Sequence, residues 1–182
     1  TAYYSRGCKS EHLFVDLKIA CDKSFKEHLN QYDVIHLDIA YLLTQLRDPL
    51  ELVAFIQKIV TEELNEIYPG ILSDGDSTLS FSLSKIYGRT GRGFIFIIDE
   101  WDAVFRENEY DKEAQEQYIR LLRGLFKGEQ SKDFIKHTYL TANRSYIWVI
   151  LLMIRKEKGF VFLMKKSERL LPAPYREQIG RR

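Results

Sequence analysis

The feature that most constrains this chain is the run Phe94-Ile95-Phe96-Ile97-Ile98, which leads without a break into Asp99-Glu100-Trp101-Asp102. An apolar run with no polar alternation reads as a strand buried on both faces, the arrangement of a parallel sheet covered by helices. In such sheets ligands bind just beyond the carboxyl ends of the strands. Asp99 and Glu100 fall at that position.

Adjacent acidic groups at a strand end can divide a task. Asp99 would hold a hydrated magnesium ion, usually through a water, and Glu100 would polarise a water for attack on a phosphate. This is the pattern of a Walker B strand in a P-loop ATPase. The plain alternative is a strand that closes in an acidic turn. For Asp102 the plain role is the expected one, capping the helix that follows, and Trp101 is expected to be a packing residue.

The rest of the chain supplies the elements such a strand needs. Val34, Ile35, Leu37 and Ile39 predict a second buried strand with Asp38 at its end. Asp48-Pro49-Leu50-Glu51 is the strongest helix start, with an N-cap Asp, Pro at the first helical position and Glu three residues after the cap. Leu50, Val53, Ile56, Ile59, Val60, Leu64 and Ile67 then recur at three- and four-residue steps, and Pro69-Gly70 ends the helix. Leu79, Leu83, Ile86 and Tyr87 predict a shorter helix that Gly88 terminates, and Gly88 to Gly93 reads as a turn. A short helix is expected over Ala103 to Glu107 and, after an acidic loop, a helix over about Asp111 to Phe126, with Tyr118, Leu121, Leu122, Leu125 and Phe126 inward and Gly128 near its end. Phe134 to Thr141 is a third strand. Upstream, Thr1 to Ser10 reads as a helix end running into a turn, Glu11 to Ala20 as a short amphipathic piece, and Ser24 with Glu27 as a capping-box pair for at most two helical turns. The order of strands and helices predicts an α/β layered fold with a mostly parallel sheet.

Two further side chains are candidates for phosphate contact. Thr141 ends the strand expected beside the Walker B strand, where ATPases of the AAA type keep a γ-phosphate sensor; a Thr favoured by its β-propensity is the competing reading. Arg120 and Arg123 lie on the helix between these strands, where one could act as an arginine finger, although solvated helix arginines are the commoner case. His36 and His137, on candidate strands without metal-ligand neighbours, read as structural. One part is missing: no G-x-x-x-x-G-K-[ST] phosphate loop occurs in these residues.

The 182 residues fit one domain, or one domain with an extension, with 45% hydrophobic and 29% charged residues. Charge is unevenly spread: residues 1–142 carry a net −6 and residues 143–182 a net +7. A basic end of this kind can bind nucleic acid, and a non-enzymatic interaction module working through it is the rival to the ATPase reading. The apolar runs Tyr146–Ile154 and Phe160–Met164 argue against a solvated basic arm and read as buried or aggregation-prone strands. Cys8 and Cys21, far apart and without a CxxC spacing, read as reduced structural thiols of a cytoplasmic protein. No signal peptide is expected, no run reaches the length of a membrane span, and with Thr1 rather than Met in first place the natural start is expected upstream.

Four separated motifs carry a family resemblance. Ala2-Tyr3-Tyr4-Ser5-Arg6-Gly7-Cys8, the segment from Phe25 through His28-Leu29-Asn30-Gln31-Tyr32-Asp33-Val34-Ile35, Phe94 to Asp102, and Leu122-Arg123-Gly124-Leu125-Phe126-Lys127 together resemble the AAA-ATPase-like proteins of anaerobic gut bacteria, many of which carry a C-terminal nuclease-like domain of the PD-(D/E)XK type. The resemblance covers residues 1–141. It implies a P-loop NTPase-like three-layer core that is incomplete here, with the phosphate loop just before Thr1, and a parent protein that binds and hydrolyses ATP with magnesium. Residues 142–182 do not continue the family pattern and are expected to be a divergent or frame-shifted extension. The chain as it stands is then a fragment with weak or no ATP binding.

Overall fold

The computed structural model describes residues 1–73, 78–108 and 111–142 and the backbone of Phe160–Met164. The run Tyr146–Ile154 and most of the basic tail lie outside the described residues, as does most of the loop at Ser73 to Ser77.

Four parallel strands form one sheet in the order β1 (Asp33–Asp38), β2 (Phe94–Asp99), β3 (Ile135–Ala142) and β4 (Phe160–Met164). The central apolar run is therefore an inner strand, as its composition predicts: Phe94, Ile95 and Phe96 are fully buried, and Ile97 is half-buried. β1 corrects the expectation of a second fully buried strand. Among the described residues it lies at the sheet edge, where Leu37 alone is buried and His36 is exposed. Ile39 leaves the strand altogether and opens α2 (Ile39–Thr44), whose first turn is capped by the Asp38 carboxylate accepting from the Tyr41 N–H at 2.9 Å.

The Asp48-Pro49 signal works as expected. Asp48 accepts from the Leu50 N–H, Pro49–Glu51 form a 3-10 turn, and α3 (Leu52–Ile67) continues from it. Leu52, Ile56, Val60 and Leu64 face the core, while Ile67, at the helix end, is about half exposed. α4 (Leu79–Thr90) runs past Gly88, which the helix tolerates. Its stop is Gly91, whose φ of +66° suits a residue without a Cβ and whose N–H bonds the Tyr87 carbonyl at 2.7 Å. α5 (Ala103–Glu107) and α6 (Lys112–Phe126, capped by Asp111) follow β2, and the single turn α7 (Ser131–Phe134) leads into β3. The core joins Phe94, Phe96, Ile98 and Leu140 of the sheet to apolar residues of α2 through α6.

The first 32 residues behave differently from expectation. Thr1 to Ser10 is a set of turns, with no helix end. It is held by a parallel bridge between Ser5 and Tyr32 and by Asn30, whose side-chain amide donates to the carbonyls of Ala2 (2.8 Å) and Ser5 (3.0 Å). Glu11–Leu13 and Lys18–Cys21 are 3-10 turns, with no amphipathic helix. Phe14 is the side chain that turns inward, 5.4 Å from the Tyr3 ring, and Leu13, Val15, Leu17 and Ile19 stay exposed. Too few apolar residues repeat at helical spacing for a longer helix to bury a face. Ser24 does not form the expected capping box; its hydroxyl donates to Asp22 instead, ahead of the one-turn α1 (Phe25–His28). Cys8 and Cys21 are free and exposed, so their packing role is not structural. Among the described residues, no helix is long and apolar enough to cross a membrane.

Candidate functional site

Pleating and register sort the sheet residues into two faces. Phe94, Phe96, Ile98, Thr138 and Leu140 point into the helical core, while Ile95, Ile97 and Asp99, with His137, Tyr139 and Thr141, share the opposite face. At the carboxyl end of that second face, the ends of β2 and β3 are tied together. The Thr141 hydroxyl donates to Asp99 Oδ1 in a short hydrogen bond. The Glu100 N–H contacts both Asp99 Oδ1 and Thr141 Oγ1 at 3.1 Å, and the Trp101 N–H donates to the Thr141 carbonyl at 3.1 Å. Asp99, Glu100 and Thr141, singled out separately from the sequence, are thus in direct contact.

Glu100 has a φ of +47°, the left-handed region that a residue with a long side chain seldom occupies. Such a conformation costs on the order of 1–3 kcal/mol and persists where the surroundings over-determine it. Here its N–H is bonded as above, its carbonyl accepts from the Ala103 N–H at 2.9 Å, and its carboxylate is bound by Arg106. The turn lifts Glu100 out of the strand direction and sends the chain into α5.

Arg106 is the residue at this site that sequence reading missed. Its guanidinium lies 2.7 Å from Glu100 Oε2, 3.1 Å from Glu107 Oε1 and 3.4 Å from Asp102 Oδ1, with its side chain 17% exposed. Burial works against its charge, but the hydrogen bonds to Glu100 and Glu107 and the nearby charges of Asp102 and Glu100 outweigh burial and raise its pKa. The one available signal was the i,i+4 spacing from Asp102. Asp102 itself does not cap α5. It makes no capping bond and is fully buried beneath Arg106. Trp101 is a core residue, as expected, fully buried against Phe105, although its indole N–H has no hydrogen-bond partner among the described residues.

Arg120 and Arg123 are on the exposed side of α6. Arg123 sits in the last turn of that helix. Arg120 borders a cleft of about 590 Å³ between α3, α4 and α6, walled by Val53, Leu79, Leu121 and Leu125. His137 is half-buried among Tyr4, Tyr139 and His28 on the second sheet face; burial, then the nearby His28, lower its pKa. His36 is exposed on β1.

Among the described residues, no group of three or more His, Cys, Asp or Glu side chains is arranged to hold a metal ion. A single strand-end carboxylate nevertheless suits magnesium, which protein sites often hold through one or two carboxylates while waters and substrate phosphates complete its octahedron. Asp99 next to a hydroxyl meets that requirement, whereas zinc would need more protein ligands.

Comparison with curated proteins and with solved structures gave no match. A family model described as predicted AAA-ATPase matches residues 1–143, well over half of the chain and including the whole β2–β3 site. The chain therefore belongs to this AAA-ATPase-like family.

Proposed function

We propose that Asp99, Glu100 and Thr141 are the metal-and-water half of a magnesium-dependent ATPase site in a P-loop-type core. The observation that carries this reading is the joining of the β2 and β3 ends through the Thr141 hydroxyl and the Asp99 carboxylate, with Glu100 raised on a left-handed turn beside them. Membership of an AAA-ATPase-like family supports the use of ATP. Magnesium, when bound, would neutralise charge on the β- and γ-phosphates. Asp99 would hold it, with the Thr141 hydroxyl fixing the orientation of the Asp99 carboxylate. Glu100 would accept a hydrogen bond from the attacking water and align it with the γ-phosphate. Thr141, bonded to both acidic residues, would sense a change at the γ-phosphate. The scheme assigns no role to Arg123, which is exposed in the last turn of α6.

The phosphate cradle lies outside these residues on this reading, since no GK[ST] loop occurs in them. ATP affinity measured on residues 1–182 and on the gene product extended upstream through such a loop provides the test. The expected result is little binding by the shorter form and magnesium-dependent binding by the longer one, lost on Asp99→Asn. Tight, magnesium-dependent binding by residues 1–182 alone would sink the proposal.

A further inference from the structure

Resting on that reading, we infer that Arg106 is the positioning residue for Glu100, holding one carboxylate oxygen so that the other is presented to the attacking water. The pair is the closest ion pair among the described residues, at 2.7 Å, and both side chains are largely withdrawn from solvent, 17% and 24% exposed. In such surroundings an ion pair is less screened than on an open surface, and its geometry restricts both partners. Glu100 otherwise has several torsions between its unusual backbone and its carboxylate. Without a partner, that carboxylate would sample several rotamers above the turn.

The arrangement is directional. Arg106 bonds Oε2 of Glu100, leaving Oε1 as the second acceptor of the same carboxylate. Arg106 is itself fixed from behind by buried Asp102, one helical turn earlier on the same segment, and from the side by Glu107. The chain Asp102–Arg106–Glu100 is thus a support running from the core to the candidate water-activating group. This also explains why Asp102 is buried without capping α5: its carboxylate faces a guanidinium that faces the site. A general base held through one oxygen is pre-organised for proton transfer or water alignment, and a misplacement of about 1 Å at such a group can cost on the order of a hundredfold in rate.

Two measurements test the inference. In the full-length gene product, steady-state ATP hydrolysis is compared for wild type, Arg106→Gln, Arg106→Lys, Glu100→Gln and the Arg106→Gln/Glu100→Gln double variant. The expected outcome is a tenfold to hundredfold fall in kcat for Arg106→Gln with KM for ATP little changed, and partial recovery with lysine. No further loss is expected when Arg106→Gln is added to Glu100→Gln. The exposed Lys58–Glu62 pair of α3 supplies the control, and Glu62→Gln leaves the rate within about twofold. A loss that multiplies with Glu100→Gln, or an equal rise in KM, would make Arg106 structural and overturn the inference while leaving the ATPase reading intact. The second measurement is urea unfolding of residues 1–182 through the same double-mutant cycle. Coupling of about three- to tenfold in the unfolding constant is expected, and additive effects overturn the inference. Coupling present in a full-length protein that hydrolyses no ATP removes the ATPase reading and the catalytic role of Arg106 with it, and identifies the pair as a structural tie.

Discussion

The two faces of the sheet are built by different means. On one, Phe94, Phe96, Ile98 and Leu140 disappear beneath α3, α4 and α6, and each is 1% exposed or less. On the other, Ile95 is buried, but Ile97, Tyr139 and Thr141 are half-exposed and His36 is open. The cover there comes from the segment before β1, which reaches the strands through the Tyr4–Tyr139 hydroxyl pair and the Tyr4–His137 ring contact. Apolar packing holds the first face. Hydrogen bonds and aromatic contacts hold the second, and the candidate site lies at its less covered end. A parallel sheet normally has both faces covered, so the difference separates a face held by apolar burial from the face that carries the candidate site.

The sharpest way to break that comparison is to truncate neighbours in β2. Phe96→Ala should cost about 3–5 kcal/mol, because a fully buried ring in contact with Phe126 leaves a cavity. Ile97→Ala, one residue on and facing the other way, should cost about 1–2 kcal/mol. Urea denaturation of both variants checks this, and equal losses would abolish the distinction. Next in size, Asn30→Ala should cost about 2 kcal/mol, by removing the amide's hydrogen bonds to the carbonyls of Ala2 and Ser5 and by placing alanine at the left-handed φ of +56° that Asn30 adopts. Hydrogen exchange should show the loss concentrated in residues 1–32, with β2 still protected. On the helical face, Gly91→Ala should cost about 1 kcal/mol, since alanine must adopt the left-handed φ that ends α4; a thermal melt reads it.

The smallest expected effect is a pH dependence confined to the second face. His137 faces His28 of α1, Tyr4 of the N-terminal segment and Tyr139 of its own strand, and its pKa is lowered in the fold. A histidine with a lowered folded pKa binds its proton more readily when unfolded. Its contribution is therefore fully present above its ordinary pKa of about 6.5 and is lost as the pH falls through the lowered folded value. Stability measured from pH 8 to pH 5 should decline for wild type and decline less for His137→Gln. An identical profile for the two would show that the histidine does not contribute to the pH dependence of the second face.

Elements with strong local signals were legible in the sequence. The unbroken apolar run of β2, the Asp48-Pro49 start of α3 and the helical spacing in α6 each state their structure within a few residues, because dihedral preference and burial point the same way. The segments that misled were those whose structure is decided at a distance. Gly88 offered a helix stop, but packing of α4 carried the helix on to Gly91. Residues 1–20 have no pattern that foretells their attachment to Asn30 and Tyr139, more than twenty and more than one hundred residues away. Val34 and Ile35 looked like a buried strand because edge position in a sheet has no signature in the strand's own residues.

The site divides in the same way. The sequence alone determined a buried strand ending in Asp99-Glu100 and a later strand ending at Thr141, because hydrophobic runs and β-propensity are local properties. Tertiary structure decided that the two strands are neighbours in register, so that one hydroxyl bridges the acidic pair, and that Glu100 turns through a left-handed backbone onto Arg106. A carboxylate's partner is set by where the chain folds back, and that is fixed by packing of the whole core rather than by the residues on either side of it.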